Sequence, residues 1–360
     1  MTEPGEIWFK RSVRQGRLKA PPGHAVAYYH CVSRVVDRRF IFGELERERF
    51  VSLMREYEAF CGVRIITHTI LSNHFHLLLA VPQRPAQMPN DEELLAKIEA
   101  LSGTAGNGDA RQRLEQLRRD GQHEAAEALR ATFLARMWDL SAFMKLLKQR
   151  FTQGYNREHG RKGTLWEERF KSVLVEGAGE TLATMAAYID LNAVRAGLTD
   201  DPKEYRWSGY GAAMGGDQKA LEGLREVVRA VQGISPEQTT ELKAEEVRSS
   251  YRMWLYGQGE ENEGLDEAGR PLRKGFAREE VAAVVAKKGR VSRAQYLRLR
   301  VRYFTDGAVL GSRQYVNEVF AALRSRFGPR RRDGARLMKG LQAPTLYTLR
   351  NLRLRVVQSS

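Results

Sequence analysis

The sequence predicts an α+β protein that contains a ferredoxin-like antiparallel sheet with helices on one face. Some stretches alternate apolar and polar residues, as strands do, and others repeat apolar residues at helical spacing. Along the chain, they follow one another in the order βαββαβ and then a helix. A segment at about 83–134, rich in Pro, Gly and charge, interrupts this order and is typical of a partly helical surface insertion. The order that remains is typical of a split βαββαβ unit, in which the strands form one sheet.

Each element has its own pattern. The first predicted helix, at 43–60, carries Phe50, Leu53, Met54, Tyr57 and Phe60 at helical spacing, and the helix that begins at 138 repeats such a stripe. The predicted strands are 24–35, 62–70, 71–81 and 171–176, and the last helix of the unit is 179–198.

Composition favours a polyanionic partner. The chain has 360 residues with 59 Lys and Arg against 44 Asp and Glu, a formal net charge of +15. Such an excess is typical of nucleic-acid binding. The sequence shows no apolar run long enough to span a bilayer and no apolar signal core, so we expect no membrane partner. Two cysteines fit a reducing compartment, and we expect a cytoplasmic protein that is a monomer or homodimer.

The chain divides into three predicted parts. Residues 1–215 form the α+β domain with its insertion, 216–271 form a linker region, and 272–360 form a basic, all-helical module. Ser292 and Ser312 are placed as N-caps in this module, and Gly289 as a helix stop. Short helices with a basic surface predict that the module binds DNA, although a solvated basic face explains them as well.

Two histidines stand in the apolar stretch "LSNHFHLLLAV" at 71–81. Side chains alternate along a strand, so His74, His76, Leu78 and Ala80 share one face and Phe75, Leu77, Leu79 and Val81 the other. Because a buried imidazole is costly without a partner, either a polar group satisfies the pair or a divalent metal does.

The helix at 179–198 adds a possible nucleophile. Tyr188 and Asn192 are four residues apart and project together from this helix. A phenol beside an amide ligand, brought to a two-histidine metal site, supplies a nucleophile next to a Lewis acid. That combination predicts attack of a tyrosine oxygen on a phosphodiester.

Four stretches occur in an order that resembles the single-tyrosine HUH transposases, and most of all the REP-associated tyrosine transposases. They are "LSNHFHLLL", "GRKGTLWEERFKS", "YIDLNAVRAGL" and "YRWSGYGA", and the resemblance covers about residues 22–213 apart from the insertion. It implies the HUH endonuclease fold and a metal-dependent endonuclease and strand transferase that acts on single-stranded or hairpin DNA at palindromic repeats. It also implies a bacterial protein that is associated with the nucleoid. Ala193 departs from the family, where proline usually follows the asparagine.

The resemblance also implies residue roles. His74 and His76 bind Mg²⁺ or Mn²⁺, with Asn192 as a third ligand, and Tyr188 is the nucleophile that becomes a 5′-phosphotyrosine. The proline-to-alanine departure relaxes the helix end but leaves these chemical groups in place.

Basic residues beside an indole suggest where a single strand would bind. The DNA-binding candidates are Lys145, Lys148, Arg161, Lys162, Trp166, Arg169 and Lys171. Trp166 is equally well explained as a core residue.

Several alternatives stay open. Cys31 and Cys61 with the two histidines lack the paired spacing of a structural zinc site. Tyr155, Tyr205 and Tyr210 are interpreted as packing or stacking residues, and His68 as a satisfied polar residue. His30 is not assigned to the site. The alternative function is a catalytically inactive DNA-binding regulator on the same fold.

Overall fold

The computed structural model describes residues 17–101, 108–234, 238, 241–256, 303–327, 329–338 and 346–350. Among these residues, no helix combines the length and the apolarity that crossing a bilayer requires.

The described residues form one seven-stranded sheet. Its strands are β1 (Val26–Arg34), β2 (Arg64–Ile70), β3 (His74–Pro82), β4 (Lys171–Val175), β5 (Val309–Gly311), β6 (Arg336–Leu337) and β7 (Tyr347–Thr348). They lie in the order β2-β3-β1-β4-β5-β7-β6, and every neighbouring pair is antiparallel except β4 with β5.

Helices fill most of the chain between these strands. They are α1 (Glu44–Cys61), α2 (Asp91–Glu99), α3 (Gly108–Arg119), α4 (His123–Leu134), α5 (Leu140–Glu158), α6 (Gly179–Asp190), α7 (Asn192–Arg195), α8 (Gly209–Met214), α9 (Gln218–Gln232), α10 (Ala244–Tyr256), α11 (Tyr303–Asp306) and α12 (Arg313–Ala322). Side-chain oxygens at several N-caps accept backbone N–H bonds, among them Asp139, Ser208, Asp217 and the predicted Ser312.

The α+β prediction is confirmed, and the first four strands follow the predicted order. β1, α1, β2, β3, α5 and β4 succeed one another once α2, α3 and α4 are set aside as the insertion. β1 lies between β3 and β4, and β2 lies outside β3. The insertion is helical as predicted, and its apolar residues, such as Leu94 and Ile98, are buried in the same cluster as α1 and α5.

Helices cover both faces of the sheet, so the prediction of helices on one face is wrong. Phe75, Leu77 and Leu79 of β3 pack with α1 and α5, whereas Leu78 and Ala80 pack with α6 and α9. The predicted alternation of faces along β3 is therefore confirmed. Because both sides of this strand are apolar, both need cover, which a single layer of helices cannot provide.

The expected linker at 216–271 contains two packed helices instead. Leu221, Leu224 and Val227 of α9 are buried against the sheet, and Tyr251 of α10 is buried beside them. Apolar residues at helical spacing give α9 a face that the sheet covers, which a linker would not need. Residues 257–271 lie outside the described residues.

The prediction of an all-helical C-terminal module is wrong for the part of 272–360 that the structure describes. Val309 and Leu310 are buried and pair in parallel with Leu174 and Val175, so β5 covers the edge that β4 would otherwise expose. α12 is helical as expected. Gly289 and Ser292 lie outside the described residues, and DNA binding by this region stays a prediction.

His68 is buried on the α1 side of β2 and does not fit its interpretation as a satisfied polar residue. Neither ring nitrogen has a hydrogen-bond partner among the described residues. Burial, with a smaller effect of the Arg55 guanidinium, lowers the pKa of His68 from 6.5 to about 3. The folded protein therefore holds this ring neutral at pH values where the unfolded chain protonates it.

We predict that acid destabilises the protein through His68. Below pH 6.5 the unfolded chain takes up a proton that the folded state refuses until about pH 3. When the pH falls from 6.5 to 5, the unfolding free energy of the wild type should therefore fall by about 2 kcal/mol more than that of His68→Leu. Urea unfolding at both pH values measures this difference. His123→Leu, at an exposed histidine, is the control. Equal losses in wild type and His68→Leu would contradict the assignment.

Candidate functional site

The candidate site lies on the sheet face that α6 covers. Alternation along β1 and β3 places His30, His74 and His76 on this face. In the register of the two strands, His30 is opposite Leu78 and Val32 is opposite His76, so His30 is a diagonal neighbour of His76. His30 and His76 are buried and His74 is half-buried.

A chain of hydrogen bonds determines the protonation of two of these rings. The backbone carbonyl of Phe304 lies 2.8 Å from Nδ1 of His30, and Nε2 of His30 lies 2.8 Å from Nδ1 of His76. A carbonyl only accepts, so His30 carries its proton on Nδ1. Burial is the largest cause that lowers the pKa of His30 to about 4, which keeps the ring neutral at pH 7. Nδ1 of His76 must then donate, and the lone pair of His76 is on Nε2.

A separate bond orients His74 in the same way. Asn73 donates from Nδ2 to the Arg38 carbonyl at 3.0 Å, which identifies its Oδ1 as an acceptor. Nδ1 of His74 lies 2.7 Å from that Oδ1 and therefore donates to it. In the neutral ring, the lone pair of His74 is also on Nε2.

The donor set fits a divalent metal. Metal-binding histidines usually donate their other N–H to an oxygen or another acceptor, as both rings do here. Two imidazoles that share one ion through nitrogens at ~2.1 Å have ring centres roughly 5 Å apart, and the His74 and His76 centres are 5.2 Å apart. The described residues contain no group of three or more His, Cys, Asp and Glu side chains arranged to hold a metal. Further ligands would therefore be an amide, water or substrate oxygens.

Tyr188 of α6 faces the histidines. Its ring centre is 6.2 Å from that of His76 and 6.0 Å from that of His30. The ring of Phe304 packs against it at 4.4 Å, and the Arg195 guanidinium lies 4.2 Å from its centre on a ring face. Tyr188 is consequently only 2% exposed. The predicted phenol and the two predicted imidazoles are thus brought together, in an enclosed site.

Two threonines of β2 hold the end of α6. Thr69 donates to the Ile189 carbonyl and Thr67 to Oδ1 of Asp190, each at 2.7 Å. Asp190 also accepts from the Tyr251 hydroxyl at 2.5 Å and from the backbone N–H of Tyr210 at 3.1 Å. Burial raises the pKa of Asp190 to about 6 against these stabilising bonds. This carboxyl therefore joins β2, α6, α8 and α10, and it sets the position of Tyr188 two residues earlier.

Asn192 stands where the helix breaks after Asp190. Its Nδ2 donates to the Tyr188 carbonyl at 3.2 Å, and the Arg195 guanidinium donates to the same carbonyl. The side chain thus satisfies a backbone group that the helix end leaves without an intrahelical bond. Its role as a metal ligand through Oδ1 stays a prediction.

The basic candidates separate by position. Lys171 of β4 lies in one row with Val32 and His76, on the face of the site, and makes an exposed ion pair with Glu168 at 3.4 Å. Lys145 is exposed and Lys148 half-buried on α5, which covers the opposite face. In the loop before β4, Lys162 and Arg169 are exposed and Arg161 is half-buried. Contact of these residues with DNA stays a prediction.

Trp166 is a core residue, so the core interpretation that the sequence left open is confirmed and the interpretation as an exposed, base-stacking indole is wrong. The side chain is 8% exposed and packs in the cluster of α1 and α5. Its Nε1–H donates to Thr152 Oγ1 at 2.9 Å, and Lys148 Nζ lies 5.0 Å from the ring centre. Burial with a satisfied N–H leaves no free ring face for a base. The burial of Lys148 itself lowers the pKa of its ammonium group to about 8.

The other interpretations of the sequence agree with the structure. Tyr205 is buried and donates to the Ile70 carbonyl at 2.6 Å, and Tyr210 is fully buried. The Tyr155 ring stacks on His159 at 4.0 Å. Cys31 belongs to the cluster on the face opposite the histidines, which separates it from any zinc site that they would form.

Four residues of the site were missed from the sequence. His30 is a polar residue in an apolar strand, which is a weak signal of a role. Arg195 follows Tyr188 by seven residues, which is a weak signal that the two share a helix face. Arg34 pairs with His74 across β1 and β3 and is visible only once the register is known. Phe304 contributes a backbone carbonyl to His30 from 274 residues away, for which no sequence pattern exists.

No family model matches the chain, and no curated protein does. The solved structure of a REP-associated tyrosine transposase bound to a REP hairpin is similar over 64% of this chain and 94% of its own, with 12% identity and a TM-score of 0.33. A likeness at this level assigns neither a family nor a function to the chain.

We predict that the Asp190 anchor is a major source of stability around the site. Tyr251→Phe removes one donor from a buried carboxylate, which should lower the unfolding free energy by about 1–3 kcal/mol at pH 7. Chemical denaturation measures this loss. Tyr155→Phe removes a phenol hydroxyl from a half-buried ring on α5 and should change stability by no more than about 0.5 kcal/mol. The prediction is wrong if the two variants are equally stable.

Proposed function

We propose that the protein is a metal-dependent endonuclease and strand transferase for single-stranded or hairpin DNA, with Tyr188 as its nucleophile. The observation that carries the proposal is the pair of Nε2 lone pairs on His74 and His76, set by two independent hydrogen bonds on the face that Tyr188 shares. If the two histidines served only to pack the sheet, neither Nε2 lone pair would need a defined orientation.

A divalent ion held by His74, His76 and the Asn192 amide oxygen would polarise a phosphodiester and offset its developing charge. Imidazole suits transition metals better than Mg²⁺, so we expect Mn²⁺ to bind more tightly than Mg²⁺. Arg34 and Lys171 supply positive charge on the same face for the flanking phosphates.

The reaction follows from the phenol. The Tyr188 oxygen forms a bond to phosphorus, and the bond from phosphorus to the 3′ oxygen breaks. The phenol loses its proton, the released 3′ oxygen takes one up, and the products are a 5′-phosphotyrosine and a 3′-hydroxyl. Attack of a free 3′-hydroxyl on the phosphotyrosine then reverses the chemistry and joins strands. The Arg195 guanidinium lies over the face of the phenol ring, 4.2 Å from its centre, and places a positive charge next to the nucleophilic side chain.

A second candidate function is a DNA-binding regulator that does not cleave. The observation that favours it is the enclosure of Tyr188, which is 2% exposed beneath Phe304 and Arg195. A phosphodiester reaches the phenol only if one of these side chains moves. The regulator would use the same basic face and would form no covalent bond to DNA.

The covalent adduct distinguishes the two candidates. A labelled library of single-stranded oligonucleotides, each with a hairpin and a randomised flank, is incubated with the protein and Mn²⁺ and resolved by denaturing electrophoresis. We expect an adduct with wild type, none with Tyr188→Phe, and an adduct with Tyr155→Phe as the matched control. An adduct that peptide mapping places on Tyr155, Tyr205 or Tyr210 contradicts the assignment, and no adduct with wild type favours the regulator.

The metal is tested on the same substrates. His74→Ala together with His76→Ala should abolish both the adduct and the broadening of the Mn²⁺ electron paramagnetic resonance signal. The control is His123→Ala at an exposed histidine, which should keep both. Mn²⁺-dependent cleavage by the double variant would contradict the site.

A further inference from the structure

The loop that follows β1 presents an exposed phenylalanine between basic and buried neighbours. In "DRRFIF" at 37–42, Ile41 and Phe42 are buried, whereas Phe40 is 82% exposed. Asp37, Arg38 and Arg39 are also exposed, and neither guanidinium makes an ion pair or side-chain hydrogen bond with a described residue. A single exposed apolar residue is ordinary in itself, so its surroundings decide what it means.

Those surroundings connect the loop directly to the candidate site. Val35 donates from its N–H to the Asn73 carbonyl at 2.9 Å, and Phe42 to the Ser72 carbonyl at 3.0 Å. Between them, the Arg38 carbonyl accepts from Asn73, whose Oδ1 orients His74. The loop therefore encloses the turn that precedes β3. Phe40 is two residues from Arg38, whose carbonyl binds the Asn73 side chain in that turn.

The backbone of the loop is unusual at the same place. Asp37 and Arg38 both have left-handed conformations, with φ of 55° and 54°. Arginine rarely adopts this conformation, and two in succession require the surrounding hydrogen bonds to hold them. Hydrogen bonds thus fix the backbone conformation of the exposed loop next to the site.

We propose that Phe40 is a stacking platform for a base of single-stranded DNA, and that Arg38 and Arg39, which come just before it in the loop, neutralise phosphates next to that base. The inference rests on the proposed function and names how the substrate strand is held as it enters the site. An exposed aromatic ring next to cationic side chains is an arrangement that binds single strands without sequence preference, because every base has a face that can stack. Duplex DNA keeps its bases stacked on one another and offers none to the ring.

The test measures binding of a fluorescein-labelled (dT)₂₀ strand by anisotropy, without metal. Phe40→Ala should weaken binding by roughly 5- to 100-fold, and Phe40→Trp should restore it. Met253→Ala is the matched control, since Met253 is 61% exposed on α10, outside the loop. It should bind like wild type. Because Phe40 is exposed, Phe40→Ala should unfold at the wild-type denaturant midpoint.

The salt dependence of binding distinguishes the contribution of the Phe40 ring from that of the two arginines. Phe40→Ala should weaken binding at every salt concentration with an unchanged slope of log affinity against log salt. Arg38→Ala together with Arg39→Ala should reduce that slope by about 1.4, the contribution of two phosphate contacts on a single strand.

The outcomes distinguish the inference from the proposed function. If wild type forms the Tyr188 adduct and Phe40→Ala binds (dT)₂₀ as tightly as wild type, the stacking role is wrong and the proposed function stands. Equal losses in Phe40→Ala and Met253→Ala also overturn the stacking role. If wild type binds neither (dT)₂₀ nor the hairpin library, both are wrong.

Discussion

The hydrogen bonds that His30 donates to the Phe304 carbonyl and that His76 donates to His30 are the interactions on which the candidate site depends. They join three distant parts of the chain: β1, β3 and the short helix α11. A neutral imidazole has one donor and one acceptor, so fixing the first ring fixes the second. The lone pair of His76 consequently faces away from His30, and Asn73 turns His74 in the same sense. The C-terminal region therefore completes a site that the first half of the chain begins.

The position of Tyr188 depends on a second set of constraints, at the end of α6. Thr67, Thr69 and Tyr251 all bind Asp190 or the residue beside it, so the helix end is held from two sides. The phenol itself is enclosed between Phe304 and Arg195. Phe304 thus acts twice, through its carbonyl on His30 and through its ring on Tyr188. A movement of α11 that exposes the phenol would also release the imidazole chain, which couples access to the site with the orientation of its histidines.

Periodicity explains what the sequence could predict and what it could not. The alternation of His74 and His76 with Phe75 and Leu77 fixes two faces, and a helical stripe marks α6, so the main site residues follow from pattern alone. The strands β5, β6 and β7 have two or three residues each, too few for a period, and were missed. The basic neighbours of Trp166 left its position open between surface and core, because the contact that decides it is with Thr152, fourteen residues earlier, which satisfies its N–H inside the core. Contacts that join distant residues, such as His30 with Phe304, leave no local signal.

The tautomers of the histidines test the central claim most directly. Long-range ¹⁵N–¹H correlation spectra at pH 7 report which nitrogen of each imidazole carries the proton. The account predicts a proton on Nδ1 and a lone pair on Nε2 for His30, His74 and His76 in the wild type. It also predicts that His30→Phe leaves His74 unchanged while His76 loses its single tautomer. A proton on Nε2 of His74 or His76 in the wild type would contradict the account, because neither ring could then present that nitrogen to a metal.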